Sequence, residues 1–101
     1  SGPRRRPADV TEAELGEALR AARWDLAAAA QQLRISRASM YLLIERHPQF
    51  RTGGALEAEE ILRAHREHGG HLGRMADALR VSERALARRL REMAIEYEPS
   101  R

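Results

Sequence analysis

The sequence predicts an all-α protein of six helices, arranged as two tandem three-helix units within 101 residues. Three observations support this prediction: an internal repeat, apolar residues at helical spacing, and capping residues before four of the helical runs. A shift of 46 positions superimposes identical residues: Glu14 on Glu60, Ala18 on Ala64, Arg20 on Arg66, Leu26 on Leu72, Ala30 on Ala76, Leu33 on Leu79, Arg34 on Arg80 and Ser36 on Ser82. One supersecondary unit is therefore used twice.

The helices of the first unit are predicted at about 11–22, 26–34 and 37–46. Thr11 followed by Glu14 has the pattern of a capping box at the first start. Asp25 and Ser36 are the caps of the second and third helices, and Pro48 ends the run.

The second unit repeats this plan. Its first helix carries Ile61 and Ala64 and stops at Gly69-Gly70, its second carries Leu72 and Met75, and Ser82 caps its third. The ends lack such periodicity, because two prolines and three arginines oppose a packed helix near the amino terminus. The predicted segments are 1–9 as a tag-cleavage scar (Ser1, Gly2, Pro3) with a disordered basic arm, 10–47 and 56–95 as the two units, 48–55 as their linker, and 96–101 as a disordered tail.

Composition excludes several classes of protein. The chain has no cysteine and no apolar run of about 20 residues, so we expect a cytoplasmic protein without a membrane span. No glycine-rich phosphate loop, nucleophile elbow or paired catalytic carboxylates occur, so we expect neither an enzyme nor a cofactor. His65, His68 and His71 invite a zinc site, but Gly69-Gly70 breaks the helix between them, so none is predicted.

Charge is distributed unevenly although the net charge is only +3. Residues 80–91 contain five arginines against the single Glu83, and Arg84, Arg88 and Arg91 fall on one helical stripe. Because arginine forks match phosphate oxygens, this segment is a candidate surface for nucleic acid. The basic residues considered for grip are Arg84, Arg88, Arg89 and Arg91.

The turns Arg34-Ile35-Ser36 and Arg80-Val81-Ser82 have the spacing of a helix-turn-helix, in which the second helix of the pair enters the DNA major groove. Leu33-Arg34-Ile35-Ser36-Arg37 and Leu79-Arg80-Val81-Ser82 extend the likeness. Each copy resembles the DNA-binding unit of the Fis-like family, found at the carboxyl end of many bacterial enhancer-binding transcription activators.

The resemblance implies DNA contacts just after each cap and one turn later. Carried onto this chain, those positions are Ser36, Arg37, Ser39, Tyr41 and Leu42 in the first copy, and Ser82, Glu83, Ala85, Ala87 and Arg88 in the second. Both copies depart from the family pattern. Leu42 and Leu43 stand where the family has basic residues, and Glu83 occupies a reading position where a carboxylate accepts only from a cytosine amine.

The predicted function is binding of double-stranded DNA as the targeting domain of a bacterial transcription regulator, located at the nucleoid. The resemblance also implies a parent protein with an ATPase domain that acts on RNA polymerase holoenzyme. The alternative is a helical module for dimerisation or protein docking, since Tyr41, Leu42, Leu43 and Ile44 are successive apolar residues suited to a homodimer or inter-unit contact. A combination, with copy one pairing chains and copy two gripping DNA, is also open.

Overall fold

The computed structural model describes residues 4–100, and in that range it contains six α-helices and no named strand. This confirms the predicted all-α class. The predicted scar, Ser1, Gly2 and Pro3, lies outside the described residues. The helices are α1 (Glu12–Ala21), α2 (Leu26–Leu33), α3 (Arg37–Arg46), α4 (Ala58–Glu67), α5 (Leu72–Leu79) and α6 (Glu83–Glu92).

The chain divides into two compact units between Phe50 and Arg51, and each has its own hydrophobic core. The first core is built around the fully buried Leu15, Leu19 and Met40, with Trp24 and Phe50 closing it. The second is built mainly from buried side chains of the three later helices: Ile61, Ala64, Leu72, Met75, Ala76, Leu86, Ala87 and Leu90. In residues 4–100, no helix combines the length and apolar character that crossing a bilayer requires.

Each element of the second unit begins and ends 46 positions after its counterpart in the first. This holds also for two short 3₁₀ turns, Pro7–Asp9 and Gly53–Ala55, which precede α1 and α4. The structural repeat therefore starts several residues before the repeat that the helical periodicity indicates.

The basic arm is not disordered within the described residues, which corrects the expectation for residues 4–9. The Arg5 guanidinium donates to both carboxylate oxygens of Glu14, at 2.9 and 3.0 Å, and the Arg5 backbone N–H donates to the Arg34 carbonyl at 2.8 Å. Pro7 is compatible with this order because it occupies the first turn of a 3₁₀ helix, where no backbone donor is needed.

The linker 48–55 is ordered in the same way at its carboxyl end. Arg51 donates to Glu60 at 3.0 Å, which repeats the pair formed by Arg5 and Glu14, and Gly53–Ala55 forms the second 3₁₀ turn. The signal for both pairs is an arginine placed nine residues before the glutamate of each first helix.

The tail is also ordered as far as Ser100, contrary to the expectation for residues 96–101. The Glu98 N–H donates to the Gly70 carbonyl at 2.8 Å, and the Leu72 N–H donates to the Glu98 carbonyl at 2.9 Å. Tyr97 packs against the second core. The first N–H groups of an α-helix have no acceptor within the helix, and the Glu98 carbonyl supplies one for Leu72. Hydrophobic periodicity gives no signal for such a contact.

The predicted caps are confirmed. Side chains of Thr11, Asp25, Ser36 and Ser82 each accept a hydrogen bond from the backbone N–H three residues later. His71 caps α5 in the position that Asp25 holds for α2, with its Nδ1 accepting from the Arg74 N–H at 3.2 Å. Capping preferences point to Ser, Thr, Asp and Asn, so they give no signal for this role of His71.

The turn between the first two helices of each unit requires two consecutive left-handed residues. The second unit uses Gly69 and Gly70, with φ of 59° and 74°. The first unit uses Arg23 and Trp24, with φ of 53° and 66°. Since a Cβ is crowded in this conformation, the first turn stores strain of about 1–2 kcal/mol per residue that the glycines avoid.

We expect Arg23→Gly to stabilise the first unit by about 1 kcal/mol, because glycine adopts the left-handed backbone without crowding. The matched change Gly69→Ala should destabilise the second unit by a similar amount, although open space surrounds its Cβ position. Urea unfolding measures both free energies. A loss of stability in Arg23→Gly would contradict the strained turn.

The pKa of Glu14 lies at about 2, below its ordinary value, because the Arg5 side chain and the Thr11 backbone N–H hydrogen-bond its carboxylate. A carboxylate with a lowered folded pKa stabilises the fold above its unfolded pKa and loses that effect as pH falls. We expect the melting temperature of the native chain to drop between about pH 5 and 2, and less steeply in Glu14→Gln. Glu17→Gln, on the exposed side of α1, is the control and should leave the slope unchanged.

Candidate nucleic-acid interface

One three-residue turn joins the last two helices of each unit. Arg34 and Arg80 end α2 and α5 in the left-handed conformation, each with φ of 58°. Ile35 and Val81 follow and are buried, and their N–H groups bond back to the carbonyls of residues 30 and 76 at 3.1 Å. The left-handed residue and the buried branched side chain together set the position at which α3 and α6 begin.

The leading turn of α3 is partly open. Arg37 and Ala38 are exposed, whereas Ser36 and Ser39 are half-buried. The Ser36 hydroxyl accepts from the Ser39 N–H and lies 3.0 Å from the Ser39 hydroxyl. Of the two serines predicted to contact DNA, Ser36 therefore caps the helix, and the Ser39 hydroxyl lies within hydrogen-bond distance of that cap.

The leading turn of α6 has a similar arrangement. Ser82 and Glu83 are half-buried, and the Ser82 hydroxyl accepts from the Ala85 N–H at 3.1 Å. Arg84 is exposed. Among the residues predicted to contact DNA in this turn, Arg84 thus presents an exposed positive charge, while the Ser82 hydroxyl is occupied by the cap.

The exposed arginines of α6 are Arg84, Arg88 and Arg91. Arg88 lies 3.7 Å from the Glu92 carboxylate, and Arg91 donates to the Tyr97 hydroxyl at 3.3 Å. The pair of Arg88 and Glu92 is open to water, with side chains 77 and 58% exposed. Because exposed ion pairs contribute little, Arg88 can exchange its carboxylate for a phosphate at small cost.

Arg89 lies elsewhere, although it was predicted to contact DNA with its neighbours. Its Nη1 donates to the carbonyls of Gly53 and Leu56, at 3.0 and 2.8 Å. These bonds tie α6 to the 3₁₀ turn before α4. Arg89 is therefore a structural anchor of the second unit.

Two alanines assigned to the interface are also turned toward the protein. Ala85 is half-buried against Gly53, where an added Cβ would lie 2.7 Å from the Ala85 Cβ. Ala87 is buried in the second core. This leaves Arg84, Arg88 and Arg91 as the exposed cations of the predicted set on α6.

A shallow groove lies between the 3₁₀ turn and α6. Arg84, Arg88 and Glu92 form its charged side, and the backbone of Gly53 and Gly54 forms part of its other wall. Gly54 is exposed, so a ligand can approach its backbone closely, whereas Gly53 is buried against Ala85. The groove offers a cationic strip beside the exposed backbone of Gly54.

The first unit presents a different surface at the equivalent positions. Ala38 and Leu42 stand where α6 has Arg84 and Arg88, and Tyr41 and Leu42 are 48 and 46% exposed. Leu43 is buried at 2% exposure, which corrects its assignment to a dimer or inter-unit surface. Leu43 is the counterpart of Arg89, and both side chains are directed into their own unit.

The histidines do not converge. His65 Nε2 lies 2.8 Å from the Glu96 carbonyl, and His71 caps α5. Among residues 4–100, no group of three or more His, Asp or Glu side chains is arranged to hold a metal ion.

No family profile, curated protein or solved structure matches this chain.

We expect Gly53→Ala to destabilise the second unit by about 1–3 kcal/mol, because the new methyl group overlaps the Ala85 Cβ and strains the Arg89 anchor. Gly54→Ala is the matched control, since nothing lies within 4 Å of its Cβ position. Thermal unfolding of the two variants checks this, and equal stabilities would contradict the close contact.

Proposed function

We propose that this chain binds double-stranded DNA through α6, as the targeting domain of a bacterial transcription regulator. The observation that carries the proposal is the exposed row formed by Arg84, Arg88 and Arg91 on a helix whose start is set by a helix-turn-helix joint. A single unit with this joint is the element that other DNA-binding proteins place in the major groove.

The spacing of the three arginines suits a nucleic-acid backbone. Residues 84, 88 and 91 are separated by about one helical turn each, so they follow one another at about 6 and 4.5 Å along the helix axis. Phosphates of one strand follow one another at similar intervals of several ångströms. Each arginine can donate two parallel hydrogen bonds to the oxygens of one phosphate, which gives affinity without base preference.

We assign the phosphate grip to α6 and not to α3. Ala38 and Leu42 have no charge to offer at the positions of Arg84 and Arg88. The resemblance implies base reading by Arg37, but its exposed guanidinium at the first turn of α3 is equally open to a protein partner, so base reading is not part of this proposal.

The wider setting is proposed from the resemblance to Fis-like domains. In that setting the parent regulator acts on RNA polymerase holoenzyme, the protein works at the nucleoid, and catalysis belongs to other domains. These 101 residues would contribute the recognition of DNA.

Binding of the full chain to a random-sequence duplex tests the proposal. Three phosphate contacts predict that log K falls against log salt concentration with a slope of about −2.7. Arg84→Ala and Arg88→Ala should each reduce the slope by about 1 and weaken binding to all sequences alike. Fluorescence anisotropy over a salt series measures both quantities.

Arg66→Ala is the matched control, because Arg66 is an exposed arginine on α4. It should leave affinity and slope within error of the native chain. Absence of saturable binding at low salt, or an equal loss in the control, would overturn the proposal.

A further inference from the structure

We propose that the first unit associates with α3 of a second copy of this chain, antiparallel, about a twofold axis that passes near Tyr41. This inference goes beyond DNA binding by α6 and does not rest on it. The second copy would cover the exposed apolar residues of α3, and the two helices would meet in one defined register.

The outward side of α3 is apolar at its centre. Tyr41 and Leu42 are 48 and 46% exposed, and they are the exposed large hydrophobic residues of the described chain. The inward side is occupied by Met40, Leu43 and Ile44, which are buried in the first core. The helix therefore has a second apolar surface that its own unit does not cover.

Charges flank this centre with opposite signs. Arg37 lies four residues before Tyr41 and Glu45 lies four residues after it, and both are exposed. Residues four apart lie on the same side of a helix, so the order along the surface is cation, aromatic ring, anion.

This order is complementary to itself only when the second helix runs in the opposite direction. An antiparallel pair centred on Tyr41 places Arg37 of each chain opposite Glu45 of the other, which forms two equivalent ion pairs. A parallel pair would place like charges together. Within one chain the two residues are eight positions apart, about 12 Å along the axis, and too far to pair.

A twofold contact of this kind uses the same residues on both copies, as closed dimers do. Its size is small, because two ten-residue helices present only part of one side. Stable dimers bury about 1,200 Å² or more, so we expect a weak dimer. Two copies held on one duplex would meet at a higher effective concentration, and the contact would then strengthen their joint binding.

The proposal gives Arg37 a role that excludes its reading of a base, because its guanidinium would be engaged by the second copy. Charge reversal separates these two roles. In the dimer, Arg37→Glu and Glu45→Arg each place like charges together, whereas the double variant restores opposite charges at both contacts.

The experiment is sedimentation equilibrium of the full chain without DNA, up to about millimolar concentration, a range set by the weak affinity of small interfaces. We expect concentration-dependent dimerisation of the native chain. Leu42→Glu and each single charge reversal should weaken association at least several-fold, and the double reversal should recover it. Circular dichroism of each variant verifies that the helices are intact.

Glu17→Arg is the matched control, since Glu17 is exposed on α1 and away from the α3 sequence. It should associate like the native chain. A chain that stays monomeric over the whole range, or a folded double variant that does not recover association, would overturn the proposal.

Crosslinking supplies a second measurement because the sequence contains no cysteine. A residue next to a twofold axis faces its own copy, so Tyr41→Cys should form disulfide-linked dimers rapidly under mild oxidation. Glu17→Cys should form them no faster than random collision allows. Equal rates for the two variants would contradict the proposed register.

Discussion

The left-handed residue that ends the second helix of each unit is the constraint on which the outer surfaces depend. Arg34 and Arg80 change the chain direction within a three-residue turn. The side chains of Ile35 and Val81 are buried, which fixes the position of each turn relative to the core of its unit. The serine caps then start α3 and α6 at fixed positions. Which residues of these helices face outward follows from that start, because rotation about a helix axis is set by its first turn.

Local signals account for the success of the sequence analysis at the level of helices. Capping residues and apolar spacing act within one turn, so Thr11, Asp25, Ser36 and Ser82 locate helix starts without knowledge of the fold. The pairing of Arg5 with Glu14 and the bonding of Glu98 to Gly70 join distant segments, and neither has a periodic signature. Adjacent arginines posed the same difficulty. Arg88 and Arg89 are the same residue type in the same basic segment. Tertiary contacts decide that Arg89 donates to backbone carbonyls while Arg88 stays exposed.

The two units show how a duplicated scaffold keeps its interior and changes its exterior. The ion pairs of Arg5 with Glu14 and of Arg51 with Glu60 are retained. At the outward positions of the third helix, Ala38 and Leu42 in one unit correspond to Arg84 and Arg88 in the other. The equivalent inward positions 43 and 89 also differ in chemistry. Leu43 packs in the first core, whereas Arg89 donates to two backbone carbonyls in the second unit. Backbone geometry is thus compatible with more than one kind of surface.

The left-handed turn formed by Arg23 and Trp24 has a consequence for how the molecule responds to heat. At this turn a Cβ is crowded in the first half of the chain, while Gly69 and Gly70 relieve the crowding in the second, and the two halves have separate cores. Their transitions need not coincide, so a calorimetric trace would be broader than that of one cooperative domain. A single van 't Hoff enthalpy would then describe neither half.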